Sequence, residues 1–404
     1  PEDYKAEWDK WLLDLVAIGT VADCHSLMGE NRILVKFGLK VMQKTKWIGL
    51  RQLAENAGIN ILTDTVDSQA IGFTIAPRIN AAGRLEHADV ALGLLTATDF
   101  AESITLANRL EDINRRRRDL TNRIISEAKE QAELLGDRKV LLLHNDAWAK
   151  GLVGIVAGRM ADIYNRPAIV LERGEVESTG SGRVGNSNFN IVECLKAVQE
   201  HLVKFGGHKQ AAGLSVKTSE LDALYGAILK YADEHPVEAG PPILSIDAEL
   251  TEQDLSLPAY EDILLLEPYG AGNTPPVFAI NDARIVSFKV VGATQQHLQL
   301  KIILGETTMD CIGFSMAYLA PRLDVGNKIS IAGELMVDTW QGIKKLKMRL
   351  IDVHFDETRE QVVPVVEGVG IVGSASVAPM APKSLEEPTV EPKSEIEQDK
   401  ILNE

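Results

Sequence analysis

Cysteine is scarce in this sequence and aromatic residues are few. The three cysteines among 404 residues, Cys24, Cys194 and Cys311, lie far apart and form no C-x-x-C pair. Neither a disulfide framework nor a cysteine zinc site is supported, and a reducing, cytoplasmic setting is the default expectation. No apolar run reaches the length of a membrane span, and no signal-peptide pattern opens the chain, so no membrane partner is expected. Positive charge is also in deficit: 42 basic against 58 acidic residues leave a formal net charge of -16. Such a chain does not coat nucleic acid non-specifically, and any polyanion must be met by a local basic groove. What is present is ordinary globular composition, 45% apolar and 25% charged, with length for two or three cores. No internal repeat is found. The first residue, Pro1 rather than Met, suggests a processed, truncated or partially sequenced protein.

Periodicity predicts a mostly helical first third. The apolar run from Leu12 to Val21 reads as a buried strand ending at Asp23. Helices are expected over 31–44 and 46–57, the second closed by Gly58, and a Thr63–Asp64 cap should open another that stops near Pro77. A long helix with an apolar stripe and a charged outer face covers Asp99 to Leu135. After Gly136 the rhythm becomes α/β. Strands are expected at Val140–Leu143, Ala168–Leu171, 178–183 and 212–216, with helices at 152–164, 189–203 and 219–234. A Pro/Gly cluster at Gly240–Pro242 marks a boundary, and 277–353 should form a small barrel of short strands between glycines. From about Asp356 the composition is that of a disordered tail.

Several segments could carry chemistry. In GGHKQAAG (206–213) the glycines Gly206 and Gly207 would let a turn approach a phosphate while His208 donates a hydrogen bond; the plain alternative is a tight strand–helix turn with a packed histidine. In Gly180-Ser181-Gly182-Arg183 a hydroxyl and a guanidinium share one face of an extended segment, suited to one anion, or else mark a strand end with a surface arginine. In APRINAAGRL (76–85) Arg78 and Arg84 flank a small-residue turn fit to read a phosphodiester backbone, or they cap neighbouring helices. Asp23 sits where open α/β sheets place metal ligands and catalytic acids, although one carboxylate cannot hold a divalent cation. The run Arg115–Arg118 reads as a solvated helix surface balanced by Glu111, Asp112 and Asp119. Trp340, Lys344, Lys345, Lys347 and Arg349 combine an aromatic with a positive strand, as a single-strand groove would, or form a charged hairpin.

Together these segments resemble the DHH phosphoesterase family, and within it the branch of single-stranded-DNA-specific 5'-to-3' exonucleases. The resemblance runs from about Leu13 to Val353. GTVADCHSL (19–27) is similar to the family motif whose aspartate, here Asp23, binds a catalytic metal. APRINAAGRL matches a segment in which an arginine, here Arg78, contacts DNA. GLVGIVAGRM (151–160), GSGR and GGHKQAAG resemble the DHH-associated domain, where Ser181 and Arg183 with the Gly206–Gly207 turn would hold a 5'-terminal phosphate. LEPYGAGNTPPVF (266–278) and the strands after it resemble the family's OB-fold.

The implied fold is α/β in five parts: the C-terminal part of a DHH domain (1–97), a connector helix (98–136), the DHH-associated domain (137–240), an OB-fold β-barrel with its lead-in (241–355) and the tail. The implied function is two-metal, Mn2+- or Mg2+-dependent hydrolysis of single-stranded DNA from a 5' end, in repair and recombination. Two departures stand out. The D-x-D and D-H-H motifs that supply most metal ligands do not occur before GTVAD, so the chain is expected to be catalytically incomplete. The family's W-H-x-G reads Trp148-Ala149-Lys150-Gly151. The alternatives are a nanoRNase or cyclic-dinucleotide phosphodiesterase of the superfamily, against which the barrel argues, or a single-stranded-DNA-binding fragment without catalysis.

Overall fold

The computed structural model describes residues 8–235, 237, 243–340 and 343–355. The expected Gly240–Pro242 boundary and the tail from Asp356 lie outside them.

The first element is a helix, α1 (Leu13–Ala22), not the strand that the apolar run suggests. Only one side of the run is buried, but the exposed side carries apolar residues such as Val16 as well, which erases the amphipathic signature. Asp14 inside it is fully buried, accepting from the Thr45 hydroxyl at 2.6 Å and the Leu15 N–H at 2.7 Å. Helices α2 (Gly29–Met42) and α3 (Ile48–Asn56) follow close to expectation, and Gly58, at φ +79°, makes the left-handed exit that ends α3. The next helix starts later than expected. Asp67, not Thr63–Asp64, caps α4 (Ser68–Ala70) by accepting from the Ala70 N–H at 2.7 Å. A π turn over Ile71–Ile75 then leads directly into α5 (Ala76–Leu85), with Pro77 in its first turn. Proline is tolerated there because a first-turn N–H has no obligatory helical partner, so Pro77 does not end the helix. Helix α6 (Asp89–Thr96) and the 36-residue α7 (Phe100–Leu135) complete this part. Asp99 caps α7 through the Glu102 N–H at 2.8 Å, and α1 to α7 close one apolar core.

The α/β part is a five-stranded sheet of order β1 (Leu141–Asn145), β2 (Ala168–Glu172), β3 (Glu177–Arg183), β5 (Ala211–Lys217), β4 (Leu202–His208). Only β1 and β2 run parallel, joined through α8 (Lys150–Tyr164). One sheet face packs on α7 and α8 with Trp148; the other packs on α9 (Ile191–Ala197) and α10 (Leu221–Glu234). The helix expected over 189–203 is therefore only α9 and one 3-10 turn, and its last residues already belong to β4.

The last part opens with β6 (Ala248–Glu249) and α11 (Leu257–Leu264). Strands β7 (Phe278–Val291), β8 (His297–Leu304), β9 (Thr307–Gly313), β10 (Lys328–Trp340) and β11 (Ile343–Phe355) close into a five-stranded barrel. The ring runs β7-β8-β9-β11-β10 and back to β7, with β9 and β11 parallel. The segment before it is tied to the helical part by backbone groups. Leu27 N–H donates to the Ala271 carbonyl at 2.6 Å, Arg32 Nη2 to that of Leu266 at 2.6 Å, and the Ser68 hydroxyl to that of Tyr269.

Candidate nucleic-acid site

The segment Gly-Ser-Gly-Arg forms the end of β3, and strand alternation sorts its residues. Gly180 and Gly182 face one way, where a Cβ would lie 2.2 Å from the Val170 carbonyl oxygen or 2.1 Å from Ile191 Cδ1. Glycine is required there for β2 and α9 to close on the strand. Ser181 and Arg183 face the other way, toward α8. That helix meets them with glycine too: a Cβ on Gly154 would stand 3.3 Å from Ser181 Oγ and 3.5 Å from Arg183 Nη2. One turn earlier Gly151 presses on α5, where a Cβ would fall 2.0 Å from the Arg84 carbonyl oxygen, and Arg84 Nη1 donates to the Gly151 carbonyl at 3.2 Å. Arg84 is thereby held at the start of α8, beside Arg183.

GGHKQAAG is the turn of a β-hairpin, which sets aside the plain alternative of a strand–helix turn: Gly206, Gly207 and His208 end β4, and Ala211 begins β5. The register makes the hairpin part of the same site. Gly206 aligns with Gly213, which aligns with Ser181; His208 aligns with Ala211, which aligns with Arg183. Aligned residues on antiparallel strands share a face, so His208 and Arg183 rim one surface two strands apart, about 10 Å. Its floor is Gly206 and Gly213. A Cβ at Gly206 would meet nothing within 4 Å, and one at Gly213 only the Gly180 oxygen at 3.9 Å. Gly207 faces the opposite way at φ +150°, with no room for a side chain because the Ala211 oxygen would be 2.3 Å from its Cβ. His208 is exposed, and its Nδ1 accepts from the Gln210 N–H at 3.4 Å. The sheet thus presents an open glycine trough with a hydroxyl and a guanidinium along one side and an imidazole on the other.

Electrostatics single out this trough. Arg183 is held below the usual arginine range by burial first and then by Arg84, and its Nη1 donates to the Gly182 carbonyl at 2.8 Å. Neither Arg183 nor Arg84 has a carboxylate partner among the described residues.

APRINAAGRL is helix α5 rather than a turn. Its Arg78 is spent within the protein: Nε donates to Glu111 Oε2 at 2.6 Å and Nη1 to the Thr74 carbonyl at 2.7 Å, with the side chain 13% exposed. The arginine run of α7 departs in part from a solvated surface. Arg115, Arg116 and Arg118 are exposed and paired with Asp112, Glu86 and Glu111, whereas Arg117 is half-buried and faces inward. Sequence reasoning missed it because a run of four arginines has no helical phase of its own. Gly154 and Gly213 were missed as well; the spacing Gly151, Gly154, Gly158 on one helix was the available signal.

Asp23 follows a helix, not a strand. Its side chain is 84% exposed, with His25 Nε2 at 3.5 Å. Among the described residues no group of three or more His, Cys, Asp or Glu side chains could hold a metal ion. The residues around Asp23 therefore do not fit a divalent metal site. On the barrel, Lys345, Lys347 and Arg349 are neutralised by Asp310, Asp338 and Glu334. Lys344 is exposed and unpaired among the described residues, and the Trp340 side chain lies outside them. The positive strand expected there is largely cancelled. Exposed aromatics stand instead at Phe314 and Tyr318, Phe314 meeting His297 edge-on at 5.4 Å.

Residues 137–234 match the DHHA1 domain and residues 246–352 the RecJ OB domain. The single-stranded-DNA-specific exonuclease RecJ of Bacillus subtilis is 32% identical over 349 residues, covering 86% of this chain and 44% of that protein. The chain is similar to the RecJ exonucleases over most of its length and carries the DHHA1 and RecJ OB domains. Crystal structures of Thermus thermophilus RecJ in complex with Mg2+ and with Mn2+ are similar to it, each at 30% identity and a TM-score of 0.74. They cover 86% of this chain and 53% and 50% of theirs. The chain spans about half the length of the curated RecJ relatives it matches. Among the described residues, no helix is long and apolar enough to cross a membrane.

Proposed function

We propose that this chain serves a RecJ-type exonuclease as the part that grips single-stranded DNA, with the terminal 5' phosphate in the trough between β3, β4 and α8. The observation that carries this reading is the alignment of Ser181, Arg183 and His208 around a floor of Gly206 and Gly213. A phosphate there meets a hydroxyl donor and a guanidinium on one side and an imidazole on the other, and the bare floor lets it approach the backbone. Arg84 adds charge from α5. Arg78, bonded to Glu111, orients α5 against α7 rather than touching DNA. The barrel holds the strand that leads to the trough, using exposed Lys344 and the aromatic faces of Phe314 and Tyr318.

Hydrolysis is a separate matter. In this reading the intact activity is 5'-to-3' removal of nucleotides with Mg2+ or Mn2+, as the metals in the Thermus structures suggest. Asp23 alone cannot assemble that centre, so the described residues account for gripping the strand and not for cutting it. The 404-residue chain should bind without cleaving; a nanoRNase or cyclic-dinucleotide phosphodiesterase is disfavoured by the matched OB domain. The test compares binding of a 5'-phosphorylated and a 5'-hydroxyl single strand by the chain and by Arg183→Ala. The variant should lose its preference for the phosphorylated end; equal losses on both strands would overturn the reading. Manganese-dependent degradation by this chain would overturn the separation of grip from cleavage.

A further inference from the structure

Three of the four consecutive arginines on α7 have acidic partners, and the fourth has none among the described residues. Arg115 meets Asp112 at 2.7 Å, Arg116 meets Glu86 at 3.7 Å and Arg118 meets Glu111 at 3.8 Å. Arg117 is half-buried, and its Nε donates to Asn114 Oδ1 at 3.3 Å, an uncharged amide that is itself 2% exposed. Burial, and then its neighbours Arg84 and Arg118, hold Arg117 below the usual arginine range. The Glu86–Arg116 pair ties the end of α5 to α7 one residue before Arg117, and Arg84 lies two residues before Glu86. Arg84 is also the charged neighbour of Arg183. Arg84 thus links Arg117 of α7 to Arg183 of β3, and none of the three has a carboxylate partner among the described residues. A half-buried cation without a carboxylate partner is costly, and Arg117 and Arg183 are both so placed; a bound anion removes the cost.

We propose that Arg117 is the third cation of the phosphate trough and a specificity-determining residue for the terminal phosphate. This rests on the reading of the trough as a 5'-end site. The physical reason is charge matching. A terminal phosphate monoester carries about -1.5 to -2 at pH 7, whereas each internal diester carries one charge, so a third guanidinium favours the end over the interior.

The experiment measures anisotropy of labelled 5'-phosphorylated and 5'-hydroxyl oligonucleotides with the full chain and with Arg117→Met, Arg117→Lys, Arg115→Met and Arg183→Ala. Arg117→Met should weaken binding of the phosphorylated strand about tenfold or more, as for loss of one charge-assisted contact. It should change the hydroxyl strand far less and leave the thermal midpoint equal or higher, since a repelled, half-buried charge is gone. Arg117→Lys should restore much of the preference, and Arg115→Met should keep it whole. A lowered midpoint with equal losses on both strands would assign Arg117 a merely structural role and overturn the proposal. If Arg183→Ala abolishes the preference while Arg117→Met does not, Arg117 is excluded and the trough stands. If neither changes it, the trough reading falls as well.

Discussion

Gly154 offers a sharp test because two opposing effects can be sized from the structure. It lies inside α8, where replacing glycine by alanine gains about 1 kcal/mol of helix propensity. Its new Cβ, however, would stand 3.3 Å from Ser181 Oγ and 3.5 Å from Arg183 Nη2. The first distance is too short for comfort, so the serine hydroxyl must give way by a few tenths of an ångström, and the guanidinium loses the free side it turns to a ligand. Loss of one hydrogen bond to a charged group costs about 1.5–3 kcal/mol, which is about ten- to a hundredfold in affinity. Gly158, one turn later on the same face, is the internal control. Its Cβ would find only Arg183 Cγ, at 4.0 Å, an ordinary contact, so Gly158→Ala gains the same propensity and leaves the polar atoms alone. The assay is fluorescence anisotropy with a 5'-phosphorylated single strand, alongside thermal midpoints. Gly154→Ala should melt no lower than the parent yet bind the phosphorylated end at least tenfold more weakly, and Gly158→Ala should bind normally. If both variants bind like the parent, the face shared by Ser181 and Arg183 is not where the phosphate sits.

Other expectations follow from equally local geometry. Gly207→Ala forces a left-handed backbone and a 2.3 Å clash with the Ala211 oxygen, so it should destabilise by about 2 kcal/mol or more in denaturant titration, whereas Gly206→Ala should fold normally and only crowd the trough floor. Glu267 is pushed above the usual carboxylate range by burial and then by Asp67. A raised folded-state value favours the protonated form, so its contribution is present in acid and lost as pH rises through that value. Glu267→Gln should therefore raise the thermal midpoint at pH 7, with the gain vanishing towards pH 4; equal midpoints at both pH values would refute this. Asp338, held below the usual carboxylate range by its hydrogen bond to Lys347, neutralises a barrel cation. Asp338→Asn should tighten single-strand binding and steepen its salt dependence by roughly 0.7 in the log–log slope, read by titration in increasing salt.

The parts of the fold that were legible in sequence are those where one periodicity holds without interference. Helix α7 has an aspartate cap, a long apolar stripe and a glycine exit, and it lies where the pattern puts it. The Gly-Ser-Gly-Arg alternation predicted a shared face for Ser181 and Arg183, and strand geometry supplies it. Reading failed where burial or glycine removes the pattern. Helix α1 is apolar on nearly all sides, and the informative residue in it was Asp14, a charge that a central strand has no easy way to satisfy but that Thr45 satisfies here. Strand β4 carries two adjacent glycines and mostly exposed side chains, so nothing alternates, and the preceding helix pattern runs on into it. Pro77 looked like a stop because the π turn before it cannot be read from composition.

Charge was the least legible property, because counting it hides where it is cancelled. The chain as a whole is strongly acidic, and its last 24 residues carry seven acidic and three basic side chains. Along the sequence the barrel strand reads as a basic track, and the α7 run as a solvated surface balanced by its acidic neighbours. In the folded chain both are largely quenched, the run by Asp112, Glu86 and Glu111, the strand by Asp310, Asp338 and Glu334. At physiological salt the screening length is about 8 Å, so a paired cation contributes little to a strand passing outside that distance. In the proposed site a phosphate meets Arg183, Arg84 and Arg117, which are distant in sequence, beside a floor of glycine. An acidic protein can hold a polyanion on those terms, because its carboxylates quench the α7 run and the barrel strand while Arg183 and Arg84 keep no carboxylate partner among the described residues.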